Sequence, residues 1–466
     1  MTPTERPDMP TLLARYNRPG PRYTSYPTAV EFHAGVTDAV YVERLALANA
    51  APDEPLSMYV HLPFCEERCA FCGCNVVITK HRDVTDRYLG YLDREIDLLA
   101  AHLPDRRRVS QLHWGGGTPT YYTAAQLERL FARMRQHFDF APDAEIAVEI
   151  DPRVTSFAHL DMLWSLGFNR LSMGVQDFAP EVQAAVNRIQ SYELTRDLID
   201  HARSLGFKSI NIDLIYGLPL QTIDGFRDTI DKVLVLRPER LAVYSFAFVP
   251  WMAAHMKHLP EGSLPAPEVK MALLTMAQEA FTGAGYRQIG MDHFAVPDDE
   301  LARALDDRTL HRNFMGYTVQ SARDMVALGV SAIGDVQGAF VQNTKKLTEY
   351  YSAIEAGRFP TERGYALDDD DRLRRHVISE LMCNGHLDVD DVEQRFGLRV
   401  ADYFAEELAA LSGPESPLAD GLVEMHGANV TVTTAGRPFV RNICMVFDRY
   451  LKARTGGPTP VFSKTV

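Results

Sequence analysis

Cys65-Glu-Glu-Arg-Cys69-Ala-Phe-Cys72-Gly-Cys74 gathers four of the chain's six cysteines into one short stretch. Three of them are spaced C-x3-C-x2-C, a pattern that can hold three irons of a [4Fe–4S] cluster and leave the fourth without a protein ligand. An open iron can bind a small molecule and pass it an electron, so the loop points to redox chemistry. Two plainer uses of the thiols compete. Disulfides are disfavoured, because the N-terminus is polar and proline-bearing with no apolar signal segment, and clustered thiols in a reducing cytoplasm serve metals or catalysis. Zinc is the stronger competitor, yet four-cysteine zinc sites usually draw on two separated ligand pairs. Here all four thiols share one loop, and Cys383 and Cys444 stand far away in sequence. The spacing favours a cluster over zinc and leaves Cys74 unassigned.

Outward from this loop, short β-rich runs alternate with amphipathic helical stretches from Leu56 to about Phe248. Strands are expected at Ser57–Leu62, Val109–Trp114, Glu145–Ile150, Arg170–Gln176, Ser209–Ile215 and Arg240–Phe246. Between the first two, Leu89, Leu92, Ile96 and Leu99 recur at helical spacing. Strands alternating with helices imply an α/β fold with a parallel sheet and helical crossovers. Six such units predict a partial or full barrel.

Successive side chains on a strand point to opposite faces, so each run divides into two sets. Met58, Val60 and Leu62 oppose Ser57, Tyr59 and His61. Ile146, Val148 and Ile150 oppose Ala147, Glu149 and Asp151. Leu171, Met173 and Val175 oppose Ser172, Gly174 and Gln176, and Ile210, Ile212 and Leu214 oppose Asn211 and Asp213. One set is bulky and apolar; the other is small or polar, with its polar members towards the strands' C-terminal ends, where barrel enzymes place their sites. Tyr59, Glu149, Gln176 and Asp213 are therefore expected to face one polar interior. Any one alone is as well explained as a satisfied buried group; four in register favour a site. The run Trp114-Gly-Gly-Gly-Thr-Pro119 follows the second strand directly. Its glycines either make a structural turn or bring backbone groups close to a ligand.

At 466 residues and 46% hydrophobic content the chain can bury a large core and a smaller second one. Its 48 basic against 62 acidic residues, a net charge of −14, argue against nucleic acid as the main partner. Apolar runs are too short to span a bilayer, so a cytoplasmic protein is expected. An acidic chain that handles an anion must gather its cations locally, and one candidate is the arm Arg15-Tyr-Asn-Arg-Pro-Gly-Pro-Arg22-Tyr-Thr-Ser-Tyr-Pro27. The arm lacks periodicity and reads as an ordered loop or lid, or as a plain surface extension. From about Leu367 a charged helical start (Asp368–Arg375) leads into short helices and a hairpin, a winged-helix-like pattern. The acidic composition makes this a structural or lid domain rather than a nucleic-acid binder. The expected organisation is an arm over residues 1–54, a barrel domain with its extension over 55–365, and a C-terminal domain over 366–466.

The cysteine loop after a first strand and Gly115-Gly-Gly-Thr-Pro119 after the second resemble radical S-adenosylmethionine (SAM) enzymes. Gly20–Pro27, Phe64–Asn75, His113–Thr120, Asn169–Phe178, Asn211–Pro219, His311–Thr318 and the Arg441–Cys444 stretch narrow the resemblance to the oxygen-independent coproporphyrinogen III oxidases. The resemblance implies that Cys65, Cys69 and Cys72 ligate a [4Fe–4S] cluster, with SAM on the open iron and a second SAM beside it. It aligns Tyr59, Phe71, Gly116, Gly117, Thr118, Glu149, Gln176, Arg188, Asp213, Ala247 and Ile333 with SAM-contacting positions, and Tyr59 and Glu149 with catalytic ones. Arg188 would pair with a SAM carboxylate. The implied reaction turns two propionates of coproporphyrinogen III into vinyl groups through a 5′-deoxyadenosyl radical, giving protoporphyrinogen IX for haem synthesis. Implied partners are that substrate and an external one-electron donor such as flavodoxin or ferredoxin, with the chain a monomer. The sequence departs from the family at Met315, where a glutamine tied to the second SAM is familiar, and in Ile333-Gly-Asp-Val. The alternative is a haem chaperone-like paralogue that binds and transfers haem; the Gly20–Pro27 arm and the Cys72-Gly-Cys74 ending favour the oxidase. A radical SAM methyltransferase on the same scaffold is disfavoured on the same residues.

Overall fold

The computed structural model describes residues 7–319, 322–454 and 461–465. All six expected strands form: β1 Leu56–Leu62, β2 Arg108–Gly116, β3 Asp139–Ile150, β4 Arg170–Gln176, β5 Ser209–Tyr216 and β6 Arg240–Ser245. They pair in chain order, every pair parallel. Helices Asp83–His102, Ala124–Arg135, Phe157–Leu166, Tyr192–Leu205, Ile223–Leu236 and Pro267–Gly283 follow the strands in turn. The first of them buries Leu89, Leu92, Ile96 and Leu99 completely, as their spacing requires. Glycines close two of these helices in the left-handed region, Gly167 at φ 97° and Gly206 at φ 106°.

The sheet extends past the six units. A further parallel strand, β7 Asp324–Leu328, pairs with β1. It is followed by an antiparallel meander of β8 Ile333–Val336, β9 Ala339–Asn343 and β10 Thr361–Ala366. On the opposite edge His293–Ala295 pairs antiparallel with β6, and Arg287–Ile289 pairs with it. The twelve-stranded sheet runs from β10 to Arg287–Ile289 without closing. A partial barrel results, with the apolar strand sets packed under the helices. Met58, Val60, Leu62, Val148, Met173, Ile210, Ile212 and Leu214 are all fully buried there. Each such side chain contributes about 1.5–3 kcal/mol of transfer free energy.

Beyond β10, helix Asp369–Cys383 starts at an Asp368 N-cap that forms a capping box with Asp371. Three short helices then lie between Leu387 and Val423. A three-stranded sheet, ordered His386–Leu387, Asn429–Val432, Val423–His426, completes the winged-helix-like arrangement. The N-terminal region contains two helices the sequence did not announce, Met9–Tyr16 and Asp38–Asn49. Between them the Gly20–Pro27 stretch is an ordered loop, with Tyr23 and Tyr26 buried. Tyr23 donates to Asp448 at 2.9 Å, and Asn442 donates to the Tyr16 carbonyl at 2.8 Å. The arm is therefore fastened to the C-terminal region, and is not a plain surface extension.

Candidate active site

The cysteine loop hangs from the end of β1. Phe64–Cys65 pairs in parallel with Val77–Ile78. The Val77 and Thr79 amides donate to the Pro63 and Cys65 carbonyls at 2.8 and 3.0 Å. The glycine run at the end of β2 is stitched to the same segment: Gly117 N–H donates to Leu62 O at 2.9 Å, and Thr118 N–H to Phe64 O at 3.0 Å. Each glycine is required by a different neighbour. A Cβ on Gly115 would lie 2.8 Å from the Glu149 carboxylate. On Gly116, at φ 113°, it would lie 2.5 Å from the His61 ring, and on Gly117 2.6 Å from the Pro63 backbone. The run thus lets two strand ends and the loop converge, while Gly116 and Gly117 still face the cavity.

That cavity, of about 320 Å³, is lined by Cys65, Cys69, Cys72 and Cys74. Eight of the expected SAM positions line it too: Phe71, Gly116, Gly117, Thr118, Glu149, Gln176, Arg188 and Asp213. Three do not. Tyr59 lies beside it, its hydroxyl 3.0 Å from His61 Nδ1 and its ring stacked on His113. Ala247 lies two residues past β6, and Ile333 opens β8 and packs with Phe32, Phe340 and Leu367. Strand register explains the convergence. Glu149 sits opposite Ser172, and Ser172 opposite Asn211, while Gly174 pairs with Asp213. A register shift between Gly174 and Gln176 puts Gln176 at φ 70°, so β4 ends in a bulge that keeps this side chain in the cavity.

The charges are arranged around the thiols. Cys69 is 7% exposed, and its sulfur receives Arg153 Nη2 at 3.5 Å and Arg188 Nη1 at 3.6 Å. Both guanidiniums are held by Asp151, at 2.7 and 3.1 Å, and Arg188 also donates to Gly174 O at 2.5 Å. Burial works against the Asp151 charge, yet Arg188 and Arg153 hold its carboxyl below the usual range. Sequence reasoning had placed Asp151 on the polar face without a task and had passed over Arg153. The available signal was Asp151-Pro-Arg153 at the end of β3. Cys74, beside Cys72, draws the Cys72 thiol down to about 7, whereas burial pushes Cys65 up to about 11 against a 3.3 Å contact with Thr118 Oγ1. Glu149 accepts from His113 Nε2 at 3.1 Å and Gly116 N–H at 3.2 Å. These contacts outweigh burial and hold it low. Burial raises Asp213 to about 6, with Asn211 opposing at 2.7 Å and the Glu149 charge adding to the rise.

The residues present fit a cluster and a polar ligand. Three thiols ring one cavity, as ligands to separate irons must, and two arginines compensate thiolate charge at Cys69. Two buried polar atoms in the lining residues, Gln176 Oε1 and Arg188 Nε, have no hydrogen-bond partner among the described residues, which suits them to a ligand with donors and acceptors of its own.

Comparison with known proteins agrees with this geometry. The radical SAM superfamily model matches residues 59–233. The open parallel sheet and the thiol-lined mouth define a radical SAM protein. A second model, the HemN C-terminal domain, matches residues 367–439. The oxygen-independent coproporphyrinogen III oxidase of Salmonella typhimurium is 48% identical over 444 residues, covering 95% of each chain, and that of Escherichia coli K12 is 47% identical over 444 residues. The solved structure of the Escherichia coli coproporphyrinogen III oxidase, described as a radical SAM enzyme, superposes with a TM-score of 0.89 at 46% identity, over 96% of this chain and all of that one. The chain belongs to the oxygen-independent coproporphyrinogen III oxidase family.

Proposed function

We propose that this protein oxidatively decarboxylates two propionates of coproporphyrinogen III to vinyl groups, giving protoporphyrinogen IX. The observation that carries the reading is the single cavity that joins three cluster-type thiols to the polar ends of three neighbouring parallel strands, β3, β4 and β5. Family membership along 95% of the chain supports the oxidase over a haem-delivery role.

In this reading Cys65, Cys69 and Cys72 hold a [4Fe–4S] cluster and SAM occupies its open iron. When bound, the cluster supplies the electron that cleaves SAM to methionine and a hydrogen-abstracting radical. The side chains do the rest. Arg153 and Arg188 stabilise negative charge at Cys69, both fixed by Asp151. Glu149, braced by His113, accepts from a donor group of SAM, and the Gln176 Oε1 and Arg188 Nε atoms receive its remaining polar groups. Tyr59 buttresses this wall through His61 and His113. With the cofactors bound, a substrate propionate –CH2–CH2–COO⁻ would lose a hydrogen atom from its β-carbon, CO2, and one electron to a one-electron acceptor, leaving –CH=CH2. A second SAM beside the first, a small electron carrier as donor, a monomeric state and a cytoplasmic location complete the reading. Among the described residues no helix is long and apolar enough to cross a membrane.

The test is anaerobic reconstitution with iron and sulfide, followed by dithionite, SAM and coproporphyrinogen III. Protoporphyrinogen and 5′-deoxyadenosine are expected together. Deoxyadenosine without decarboxylated product would sink the oxidase reading, and tight haem binding and transfer without turnover would favour the chaperone.

A further inference from the structure

A chain with a net charge of −14 gathers cations at one place beside the barrel mouth. Arg22, from the arm, donates to Ser245 O at 2.6 Å, at the end of β6. Lys270 reaches Phe246 O at 3.1 Å, its stem passing Gly217, where a Cβ would meet Lys270 Cε at 2.8 Å. Arg441, 2% exposed, donates to the carbonyls of Gly20, Pro21, Lys464 and Thr465. A bridge between Pro19 and Lys464 brings the tail alongside the arm. Burial and then mutual repulsion depress Lys270 to about 8 and Arg441 to about 9, with Arg22 contributing to both and Lys464 to the first. Among the described residues, every hydrogen bond donated by the Arg22 and Arg441 side chains goes to a main-chain carbonyl. Asp292, the neighbouring carboxylate, is hydrogen-bonded to His293 at 2.7 Å.

Lys270 and Lys464 line a cavity of about 410 Å³ with Phe246, Phe248, Trp251 and Phe462 among others, while Arg22 and Arg441 line a separate pocket of about 20 Å³ with Asp292. Phe246 also belongs to the apolar cluster against which Phe71 of the cysteine loop packs, and Phe71 lines the thiol cavity. Like charges brought together cost free energy that an anion returns. Aromatic walls edged with cations suit an apolar ring that carries carboxylates. A reacting propionate has to enter the thiol-lined cavity, so this second cavity is left for the carboxylates that do not react.

We infer that Lys270 and Lys464, in the positive field of Arg22 and Arg441, hold propionates that the reaction leaves intact, while Phe248, Trp251 and Phe462 receive the pyrrole that bears them. The inference rests on the proposed substrate and adds where its unreacted end lies. Arg441 is the positioning residue, since its guanidinium is spent on joining arm to tail.

The experiment uses full-length reconstituted protein and two stable probes, coproporphyrin III and protoporphyrin IX, followed by tryptophan quenching. The second probe keeps only the propionates that survive the reaction. Lys270→Gln and Lys464→Gln each remove one charge, from a half-buried and an exposed side chain, so both variants are expected to fold. Each should weaken both probes by the same factor, about tenfold, as expected for one lost charge-assisted hydrogen bond. KM for coproporphyrinogen should rise far more than kcat falls. Unchanged affinities, or weakening confined to coproporphyrin III, would overturn the inference. Wild-type protein that binds neither probe and shows no turnover would instead sink the proposed function itself.

Discussion

Gly117→Ala is the sharpest probe of how the site is built. The added methyl would sit 2.6 Å from Pro63 C and O and 2.9 Å from Leu62 O, all of them backbone. No rotamer change relieves this, so the loop entry or the glycine turn has to move by roughly 0.5–1 Å, a strain on the scale of about 1–3 kcal/mol for overpacking. That movement pulls on the Gly117–Leu62 and Thr118–Phe64 hydrogen bonds, worth about 0.5–1.5 kcal/mol each if lost. A total of about 2–6 kcal/mol is expected in urea unfolding if both bonds are lost, together with a marked fall in iron bound after reconstitution, because Cys65 directly follows Phe64. Gly73→Ala is the internal control. It lies between Cys72 and Cys74, its Cβ would meet nothing within 4 Å, and it should change stability by less than about 1 kcal/mol. A Gly117→Ala protein with wild-type stability and full iron loading would refute the argument, as would equal damage from Gly73→Ala.

Three further outcomes are expected. Cys69→Ala should lose bound iron and all SAM cleavage while keeping the far-UV circular dichroism of the sheet, and persistent cleavage would remove Cys69 from the ligand set. Arg106 and Asp324 form a fully buried ion pair at 2.5 Å that ties the segment before β2 to β7, so Asp324→Ala should cost about 3–5 kcal/mol in urea unfolding; a loss under about 1 kcal/mol would show that the carbonyls of Ala48, Glu54 and Pro55 suffice for the guanidinium. Burial raises Glu95 to about 7 despite bonds from Tyr350, Gly329 and Asn343. Its native state therefore binds the proton more tightly than the unfolded chain. The resulting stabilisation is complete below the unfolded value near 4.5 and is lost as pH rises through about 7. Wild type should accordingly lose up to about 3 kcal/mol relative to Glu95→Gln between pH 5 and pH 8, and parallel stability curves would contradict this.

How much of this was legible in the sequence follows from the range of the interactions involved. The six strands and their faces were readable because a half-polar strand repeats every two residues, a local property. β7 was missed because Asp324-Met-Val-Ala-Leu328 is buried at every position and shows no alternation. Arg188 carries no signal of its own in the strand pattern and was singled out through the family resemblance alone. It falls three positions beyond the helix Pro180–Ala185, after Asn187 at φ 53°, and turns inward to Asp151. The cationic pocket was equally hidden, since Arg22, Lys270, Arg441 and Lys464 come from four distant segments. Arg22, in the basic arm, and Arg441, in a stretch that carries the family resemblance, were the two the sequence pointed to.

Polar alternation by itself marks too many residues, and the two ends of the sheet show what separates structural from functional ones. At the N-terminal ends, Ser57 donates to Gln111 at 2.7 Å and Gln111 to Glu145 at 3.0 Å. Arg170 then pairs with Glu145 at 2.9 Å, and Arg240 with Asp299 at 2.9 Å. That row pairs its charges with opposite ones, Glu145 Oε2 and Arg170 Nε meeting as an ion pair without a hydrogen-bonding angle. At the C-terminal ends the same alternation continues through Glu149, Gln176 and Asp213, but the pairing falls short: Asp213 is hydrogen-bonded by the neutral Asn211 and Ser172, and burial and the Glu149 charge raise its carboxyl above the usual range. A fold under selection for stability alone has no reason to keep that deficit beside three thiols and a glycine turn. The deficit, more than the polarity, is what identifies the upper row as the place where a ligand completes the structure.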